Sequence, residues 1–444
     1  MRDVGEFGAL CPAVSGEAGL LGRGELSARL SAALAPSQLG PVPVFRFRID
    51  RFEALDDLIG DGAADRYLQR LADGLRTEFG ADVCACVERA DLVLLGAVGL
   101  DSHGAEQEAR RLRRRLNDCL RPGADAIGAT VSAGVVLARP GVDSVAAALR
   151  HAGWAVTRAQ HVGGDHVVLC TDEMRAALAY RDNIETYLPA ALRNGRLYLE
   201  YQPEIDLHTG RILAVEALLR WQHPTLGRLG PSSFIDIVES TDLAHGVGRW
   251  VLTRACRDLA RWHAAGLANG IGQRVNVSPR QLARSDFADS VLRVLAEFAL
   301  DPASLCLEVT ERTPLRDLDR TVAAVDALRA QGVRIALDDF GAGHSSLAQL
   351  KKLRVDTIKI DGGFVQGLTT DSVDRPIVRT IVGLAQAFGL GVVAEGVETP
   401  EAVAVLLAEG CHRAQGYLLS RPVDLGAATD LLAAGGVDPA AWAR

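Results

Sequence analysis

The C-terminal half of the sequence repeats one pattern, in which apolar, strand-like runs end in a polar side chain. A polar group is costly to bury without a partner, so this recurrence indicates a shared site. The positions are Glu216, Asn276, Glu308, Asp338 with Asp339, Lys359, Glu395 and Gln415. Carboxylate and amide oxygens without His or Cys favour Mg²⁺ or Mn²⁺ over zinc. The pattern therefore predicts a metal site beside one amine.

The number of carboxylates bears on the chemistry of this predicted site. Four or more of them cannot share a pocket unless a cation offsets their charge. Asp338 and Asp339 are neighbours, so we expect them to point to different sides of the strand end and to serve two metals, or one metal and the scaffold. Such a site suits hydrolysis of a phosphate ester, because metals activate a water and stabilise the leaving oxygen.

Simpler interpretations exist for each motif taken alone. A single acidic strand end is more often a helix cap or a surface salt bridge. The Asp-Phe-Gly at 339–341 also occurs in kinases, but the glycine loop, lysine strand and His-Arg-Asp loop that accompany it there are missing. The Gly-Ala-Gly at 341–343 is a weak phosphate loop without a following Gly-Lys-Ser. The metal-site hypothesis therefore depends on the whole set of positions.

The strand rhythm predicts the elements that bring these residues together. From Leu197 onward, about eight strand–helix units in roughly 240 residues predict a (β/α)8-type, TIM-like barrel, whose chemistry lies at the C-terminal ends of its strands. The short connection from Gln202 to Ile212 predicts a hairpin of the first two strands and thus an irregular first strand. Before the barrel, alternating strands and helices predict a smaller α/β sandwich. The predicted boundaries are 15–172 for the sandwich, 173–195 for a connecting helix and 196–436 for the barrel.

Composition limits the class of protein further. The net charge of −8 over 444 residues argues against a nucleic-acid polymer as partner. Eight cysteines without a Cys-x-x-Cys pair indicate reduced thiols. The N-terminus lacks the features of a signal peptide, and the longest apolar run, Ile381–Ala394, is too short to span a membrane. We therefore predict a cytoplasmic protein with no membrane segment.

At the level of families, residues from about 197 to 432 resemble the EAL family of cyclic di-GMP phosphodiesterases, named for the triplet Glu216-Ala217-Leu218. The resemblance runs through the motifs YQPEIDLHTG, EALLRWQHPTLG, VNVSP, LEVTE, DDFGAGHSSL, KID, AEGVE and QGYLLSRP. It implies hydrolysis of cyclic di-GMP to linear pGpG with Mg²⁺ or Mn²⁺, two ions in the site, and a homodimer through the barrel.

The resemblance also implies a role for each matching residue. The implied metal ligands are Glu216, Asn276, Glu308, Asp338 and Asp339. Lys359 and Glu395 match the pair that orients or deprotonates the attacking water and, with Glu216, form the implied catalytic set. Glu311 matches the glutamate that anchors the loop after Asp339. The implied substrate-binding residues are Gln202, Leu218, Arg220, Asp361 and Gln415, with Arg220 gripping a phosphate.

Three residues depart from the family pattern. Ala342 and His344 replace the usual Thr and Tyr of the DDFGTGYSS loop, and Asp236 stands where a Pro is typical. These changes affect loop ordering, dimer contacts and turnover more directly than metal binding.

The N-terminal half resembles the GGDEF domain, with its catalytic turn expected at 88–92. That turn reads Glu-Arg-Ala-Asp-Leu, and Arg48 occupies the position of the first metal-binding aspartate. The literal Gly163-Gly164-Asp165 lies in a later turn. We therefore expect a degenerate domain without cyclase activity. One hypothesis for this domain is that it binds GTP through Asp65 and Asp56. The favoured alternative is that the domain acts as a scaffold.

Three functions remain after this reading: an active phosphodiesterase, a receptor that binds cyclic di-GMP without cleaving it, and an adaptor in which neither half binds nucleotide. Receptors of this kind tend to lose the metal ligands and the lysine. Because the set is complete here, the sequence favours the enzyme.

Overall fold

The computed structural model describes residues 7–8, 23–38, 40–52, 69–70, 73–74, 77, 83–88, 91–120, 129–310, 318–341, 350, 352–369 and 373–442. The chain divides into two compact units, Met1–Tyr180 and Arg181–Arg444. Among the helices in these described ranges, none is long and apolar enough to cross a bilayer. The predicted α/β class, with a barrel preceded by a smaller sandwich, is confirmed.

In its described residues, the first unit is a six-stranded sheet with helices on both faces. Its elements are β1 (Phe7–Gly8), α1 (Arg23–Ala33), β2 (Val42–Ile49), β3 (Val83–Glu88), β4 (Asp91–Leu95), α2 (Ser102–Leu120), β5 (Val131–Ala138), α3 (Val145–His161) and β6 (Val167–Leu169). The strand order is β1-β3-β4-β2-β5-β6, and the central β2 is antiparallel to both of its neighbours.

Alternation along β2 explains the two cores of this unit. Phe45 and Phe47 belong to the cluster that includes the apolar residues of α2, whereas Val42 and Val44 belong to the cluster that includes those of α1 and α3. Successive side chains of a strand point to opposite faces, so each helix layer receives every second residue. At Gly134 of β5, a Cβ would lie 2.3 Å from the carbonyl oxygen of Ala152, so this strand can approach α3 closely only with glycine.

The helix α4 (Asp172–Arg193) contains the boundary between the two units, which falls between Tyr180 and Arg181. The strands of the second unit are β7 (Leu197–Asp206), β8 (Ile212–His223), β9 (Gly227–Leu229), β10 (Gly272–Val277), β11 (Leu305–Thr310), β12 (Arg334–Phe340), β13 (Thr357–Ile360), β14 (Gly391–Ala394) and β15 (Arg413–Ala414). Its helices are α5 (Ile235–Glu239), α6 (Ala244–Ala264), α7 (Pro279–Leu282), α8 (Phe287–Glu297), α9 (Leu318–Ala330), α10 (Gly362–Gly367), α11 (Asp374–Phe388), α12 (Pro400–Ala408) and α13 (Leu425–Ala434).

Strands β10 to β15 follow one another around the barrel, and β7 and β8 close it through the parallel pairing of β8 with β10. Strand β7 runs antiparallel to both β15 and β8. The short turn at 207–211 allows this, because a tight hairpin joins antiparallel strands whereas parallel strands need a long crossover. The predicted hairpin and irregular start of the barrel are thus confirmed.

Candidate active site

The barrel mouth collects the predicted site residues because parallel strands bring their C-terminal ends to one rim. Lys359 of β13 is at its centre and is fully buried, with 0% of its surface exposed. Its Nζ lies 2.5 Å from Glu395 Oε1, 2.9 Å from Glu308 Oε1, 3.4 Å from Glu216 Oε2 and 3.5 Å from Asp338 Oδ1. One ammonium group therefore faces four carboxylates from four different places on the rim.

The electrostatics of Lys359 follow from this arrangement. Burial acts to lower its pKa, but Asp338, Glu216, Glu308 and Glu395 together raise that pKa well above its ordinary value. The amine is therefore protonated at neutral pH. In the absence of a metal, it can orient an oxygen by donating hydrogen bonds, but it has no lone pair with which to accept a proton.

Glu216 is held by three neighbours. Asn276 Nδ2 donates to its Oε1 at 2.7 Å, and Gln415 Nε2 donates to its Oε2 at 2.5 Å. Gln415 Nε2 also donates to Gln202 Oε1 at 3.0 Å, which links β15, β7 and β8 across the mouth. Burial acts to raise the pKa of Glu216, but Lys359 and these amides outweigh it and hold the pKa below its ordinary value. This carboxylate is therefore ionised.

The pKa values of Glu308 and Glu395 are raised, whereas that of Glu216 is lowered. Burial, followed by the charges of Glu216 and Asp338, raises the pKa of Glu308 well above its ordinary value despite Lys359. Burial likewise raises the pKa of Glu395 to about 8. Among the described residues, the oxygens of Glu308 and Asp338 Oδ1 accept no hydrogen bond of good geometry, although the Lys359 ammonium group lies 2.9 Å from Glu308 Oε1 and 3.5 Å from Asp338 Oδ1. Buried carboxylate oxygens that share one ammonium group in this way indicate that a further cation fits this site.

Asp338 and Asp339 approach the same point although they are consecutive. Simple alternation would turn them to opposite faces, and this is what the sequence led us to expect. Strand β12 instead shows a register shift against β13 between Leu337 and Phe340, and Asp339 has a left-handed backbone with φ of 55°. One oxygen each from Asp338, Asp339 and Glu395 lie within 4.8 Å of one another.

These features fit the divalent metal that the sequence predicts. Four carboxylates lie within 3.5 Å of a single ammonium group, and the hard oxygen donors of this site suit Mg²⁺ or Mn²⁺. A cation here would add counter-charge to the buried oxygens of Glu308 and Asp338, which otherwise share Lys359. The residues that would hold it are Glu216, Asn276, Glu308, Asp338 and Asp339, together with Glu395, which the sequence had assigned to the water.

The remaining predicted residues are placed less centrally. Leu218 and Arg220 follow Glu216 along β8, and Arg220 Nε donates to Glu200 Oε2 at 2.8 Å. Asp361 accepts a hydrogen bond from the backbone N–H of Gly363 at 2.9 Å and caps α10, which is the simpler role weighed for an acidic strand end. Asp236 is exposed in the first turn of α5. Glu311, Ala342, His344, Asp56 and Asp65 lie outside the described residues.

Sequence reasoning missed a buried cation beneath the site. Arg274 of β10 is 4% exposed, and its Nε donates to Glu204 Oε2 of β7 at 2.5 Å. Its Nη1 also lies 3.6 Å from Glu308 Oε1. The signal that could have revealed this contact is the two-residue alternation of side chains along a strand. Arg274 precedes Asn276 by two residues and therefore shares its face of β10, and Glu204 follows Gln202 by two and shares its face of β7.

In the first unit, Arg48 forms an internal ion pair. Arg48 lies opposite Asp91 in the β2–β4 ladder, and its Nε donates to Asp91 Oδ1 at 2.5 Å. Arg46 Nε donates to Asp91 Oδ2 at 2.5 Å, and Asp91 is fully buried. Two guanidinium groups thus neutralise the acidic residue at this strand start.

Comparison with known proteins identifies two domains. The EAL domain model matches residues 186–422, and the model of the diguanylate cyclase, GGDEF domain matches residues 18–166. The Mycobacterium tuberculosis protein Rv1354c is 41% identical over 425 residues, which are 95% of this chain and 68% of that protein. The cyclic di-GMP phosphodiesterase NbdA of Pseudomonas aeruginosa is 33% identical over 387 residues, covering 87% of this chain and 49% of NbdA.

Among solved structures, the PaMucR phosphodiesterase in its c-di-GMP complex is similar to the second unit. It is 41% identical, with a TM-score of 0.53, and the match covers 55% of this chain and 99% of that one.

Proposed function

The chain belongs to the EAL domain family, and on this premise we propose that it hydrolyses cyclic di-GMP to linear pGpG in a metal-dependent reaction. The observation that carries the proposal is the ring of four carboxylates around Lys359, in which the buried oxygens of Glu308 and Asp338 share this one ammonium group and accept no hydrogen bond of good geometry from the described residues. The names of NbdA and of the PaMucR complex support the choice of substrate.

A bound divalent ion, or a pair of ions, supplies the charge that activates a water and stabilises the leaving oxygen. The chain's own groups define where that happens. Lys359 Nζ is protonated and orients an oxygen next to Glu395 by donating hydrogen bonds. Glu216, held by Gln415 and Asn276, presents an ionised carboxylate in a fixed orientation. Gln202 and Gln415 line the part of the site that receives the substrate.

A direct assay tests the proposal. We expect purified protein with cyclic di-GMP and Mn²⁺ to release pGpG, resolved by nucleotide chromatography. Tight binding without product, under conditions in which NbdA turns over, would instead support the receptor function. The intact set of carboxylates and Lys359 is what makes us favour the enzyme.

Glu216→Ala provides a test at the level of one ligand. Removing this carboxylate takes away an oxygen donor and leaves Gln415 and Asn276 without their acceptor, so we expect turnover to fall by at least about 10³-fold. Mn²⁺ affinity, measured by calorimetry, should fall with it. Full activity in this variant would show that the site lies elsewhere.

The N-terminal domain is proposed to be degenerate and to act as a regulator or scaffold. Its support is Arg48, whose guanidinium is paired with Asp91 where the family places a metal-binding acid. We therefore expect no cyclic di-GMP synthesis from GTP. GTP binding, homodimerisation through the barrel and a cytoplasmic location remain predictions from the sequence.

A further inference from the structure

A carboxylate held between two arginines lies beyond the acidic ring of the barrel. Glu200 of β7 accepts a hydrogen bond from Arg220 Nε at 2.8 Å. Arg228 of β9 donates through Nη2 to both oxygens of the same carboxylate, at 2.5 and 2.6 Å. The side chain of Glu200 is 9% exposed and that of Arg220 is 11% exposed, whereas that of Arg228 is 57% exposed.

The register shows that this cluster continues the site. Gln202 of β7 lies opposite Glu216 of β8, and Glu200, two residues earlier in β7, lies opposite Leu218, two residues later in β8. A step of two residues keeps side chains on one face, so Glu200 and Arg220 share the face that carries Gln202 and Glu216. Arg220 follows Glu216 by four residues, which is about 13 Å along a strand. The arginines therefore lie outward from the acidic ring on the same surface.

The contacts of Arg220 orient its guanidinium group. Nε is bound to Glu200, and Nη1 donates to the carbonyl oxygen of Leu219 at 2.9 Å. Among the described residues, no hydrogen bond of Nη2 is found, so this nitrogen remains available to a ligand. A guanidinium fixed on two sides loses less conformational entropy when it binds an anion than a free side chain does.

We propose that Arg228 is a second anion-binding residue of the substrate site, and that Glu200 is the positioning residue that holds the guanidinium groups of Arg220 and Arg228 together at its outer edge. This inference rests on the proposed function. The cluster has a net charge of +1, opposite in sign to the acidic ring about 13 Å away. A ligand that engages both ends carries one phosphate at the acidic ring and a second, separate anionic group beyond it, as a cyclic dinucleotide does and a nucleoside monophosphate does not.

The chain offers a matched control elsewhere. Glu409 also bridges two arginines, with Arg375 Nε at 2.6 Å and Arg379 Nε at 2.6 Å. The two arginines belong to α11, and Glu409 directly follows α12; none of the three belongs to a barrel strand. Arg379→Ala and Glu409→Gln therefore make the same chemical changes outside the site.

Steady-state kinetics of the full chain with cyclic di-GMP test the role of Arg228. We expect Arg228→Ala to raise KM about tenfold and to leave kcat within about twofold, because binding that is equal in ground and transition states affects KM alone. Arg228→Lys should recover part of the loss, since it restores a point charge but not the fork of donors. Arg379→Ala should match the wild type. An unchanged KM in Arg228→Ala would overturn the proposal.

The variant Glu200→Gln distinguishes a positioning role of Glu200 from a purely electrostatic role. The substitution makes the cluster more positive, so a purely electrostatic role predicts a lower KM for an anionic substrate. Loss of positioning predicts the opposite, a KM raised about fivefold or more, because the amide of Gln keeps only one acceptor oxygen and no charge, so it cannot bind both guanidinium groups as the carboxylate does. A lower KM would refute the positioning role, and Glu409→Gln controls for a general effect of removing such a carboxylate.

The salt dependence of KM gives a measure that a structural role alone would not change. From about 50 to about 500 mM KCl, the wild-type KM should rise more steeply than that of Arg228→Ala, since screening weakens an exposed charge contact. Equal slopes would count against Arg228 as a substrate contact. A wild-type chain that neither binds nor cleaves cyclic di-GMP refutes the proposed function itself, whereas an active wild type with an unaffected Arg228→Ala refutes this inference alone.

Discussion

Lys359 shows at the scale of one residue why the chain keeps a lysine here. The sequence contains 48 basic residues, of which only Lys351, Lys352 and Lys359 are lysines. Lys359 is fully buried with four carboxylates between 2.5 and 3.5 Å from its Nζ. A compact ammonium group fits among four converging oxygens, whereas a planar guanidinium would need more room. Lys352 is exposed, so lysine by itself does not mark a site.

Lys359→Met should separate the stabilising and catalytic roles of this amine. Without a counter-charge the buried carboxylates repel one another, so we expect the metal-free variant to lose about 3–5 kcal/mol of unfolding free energy. Mn²⁺ should restore part of the loss, and hydrolysis should stay at least about 100-fold below the wild type. Denaturant titrations with and without Mn²⁺ measure the first effect. Equal stability of the two metal-free proteins would show that the ion pairs contribute nothing.

Glu395 predicts the pH dependence of metal binding. Its pKa is raised to about 8 in the metal-free site, so below that pH the carboxyl group is protonated. A metal needs the carboxylate, so its binding releases the proton, and affinity should increase as pH rises to about 8 and level off above it. The slope for one proton is at most about tenfold per pH unit. Calorimetry with Mn²⁺ across this range should show a flatter profile for Glu395→Gln.

At the scale of elements, three strands contribute more to the site than simple alternation of side chains predicts. The register shift in β12 and the left-handed Asp339 bring consecutive carboxylates to one point. In β7 and β10, Glu204 and Arg274 form a pair inside the barrel that lies beneath the acidic ring. Both features are irregularities in otherwise apolar strands, and both serve the same end of the barrel.

Substitution of Arg274 tests the buried pair. Arg274→Met removes the guanidinium group that binds Glu204 and lies near Glu308, and leaves Glu204 with the more distant Arg413 Nη1 at 3.6 Å, so we expect a loss of about 3–5 kcal/mol in unfolding free energy. The double variant Arg274→Met with Glu204→Met should recover most of it, since apolar side chains of similar volume often replace a buried ion pair without loss. Chemical denaturation of the three proteins measures the effect. A double variant as unstable as the single one would contradict this account.

At the scale of the whole molecule, the chain joins a barrel that carries an acidic site to a sandwich in which two arginines neutralise the buried carboxylate of Asp91. In the sandwich, Asp91 is fully buried and bound by Arg46 and Arg48. In the barrel, four carboxylates lie within 3.5 Å of one ammonium group. Among the described residues, the protein thus supplies more counter-charge to Asp91 than to the barrel site, which supports the metal chemistry proposed for the barrel.

A regulatory role for the N-terminal domain makes a prediction for the full chain. If GTP binds there, it should change the rate of cyclic di-GMP hydrolysis by the full chain by about twofold or more and leave a fragment of residues 180–444 unaffected. Parallel assays of both proteins, with ATP as the control nucleotide, measure this. A rate that is insensitive to GTP in both proteins would leave the domain as a scaffold.

The sequence by itself determined the class of the fold and the members of the acidic ring. The strand rhythm and the recurrence of polar residues at strand ends were sufficient, because a parallel barrel brings those ends to one rim whatever the details of packing. The short turn at 207–211 likewise determined the hairpin, since only antiparallel strands can be joined so tightly.

Only the tertiary structure decided which of these charges meet. The bulge at Asp338 and Asp339, the pairing of Arg274 with Glu204, and the capture of Arg220 and Arg228 by Glu200 depend on residues that lie far apart along the chain. Alternation determines on which face of a strand a side chain lies. The residue that this side chain contacts depends on the register of the strand and on which strand lies next to it. The barrel thus makes the buried oxygens of Glu308 and Asp338 share the single ammonium group of Lys359, and no local pattern in the sequence predicts this sharing.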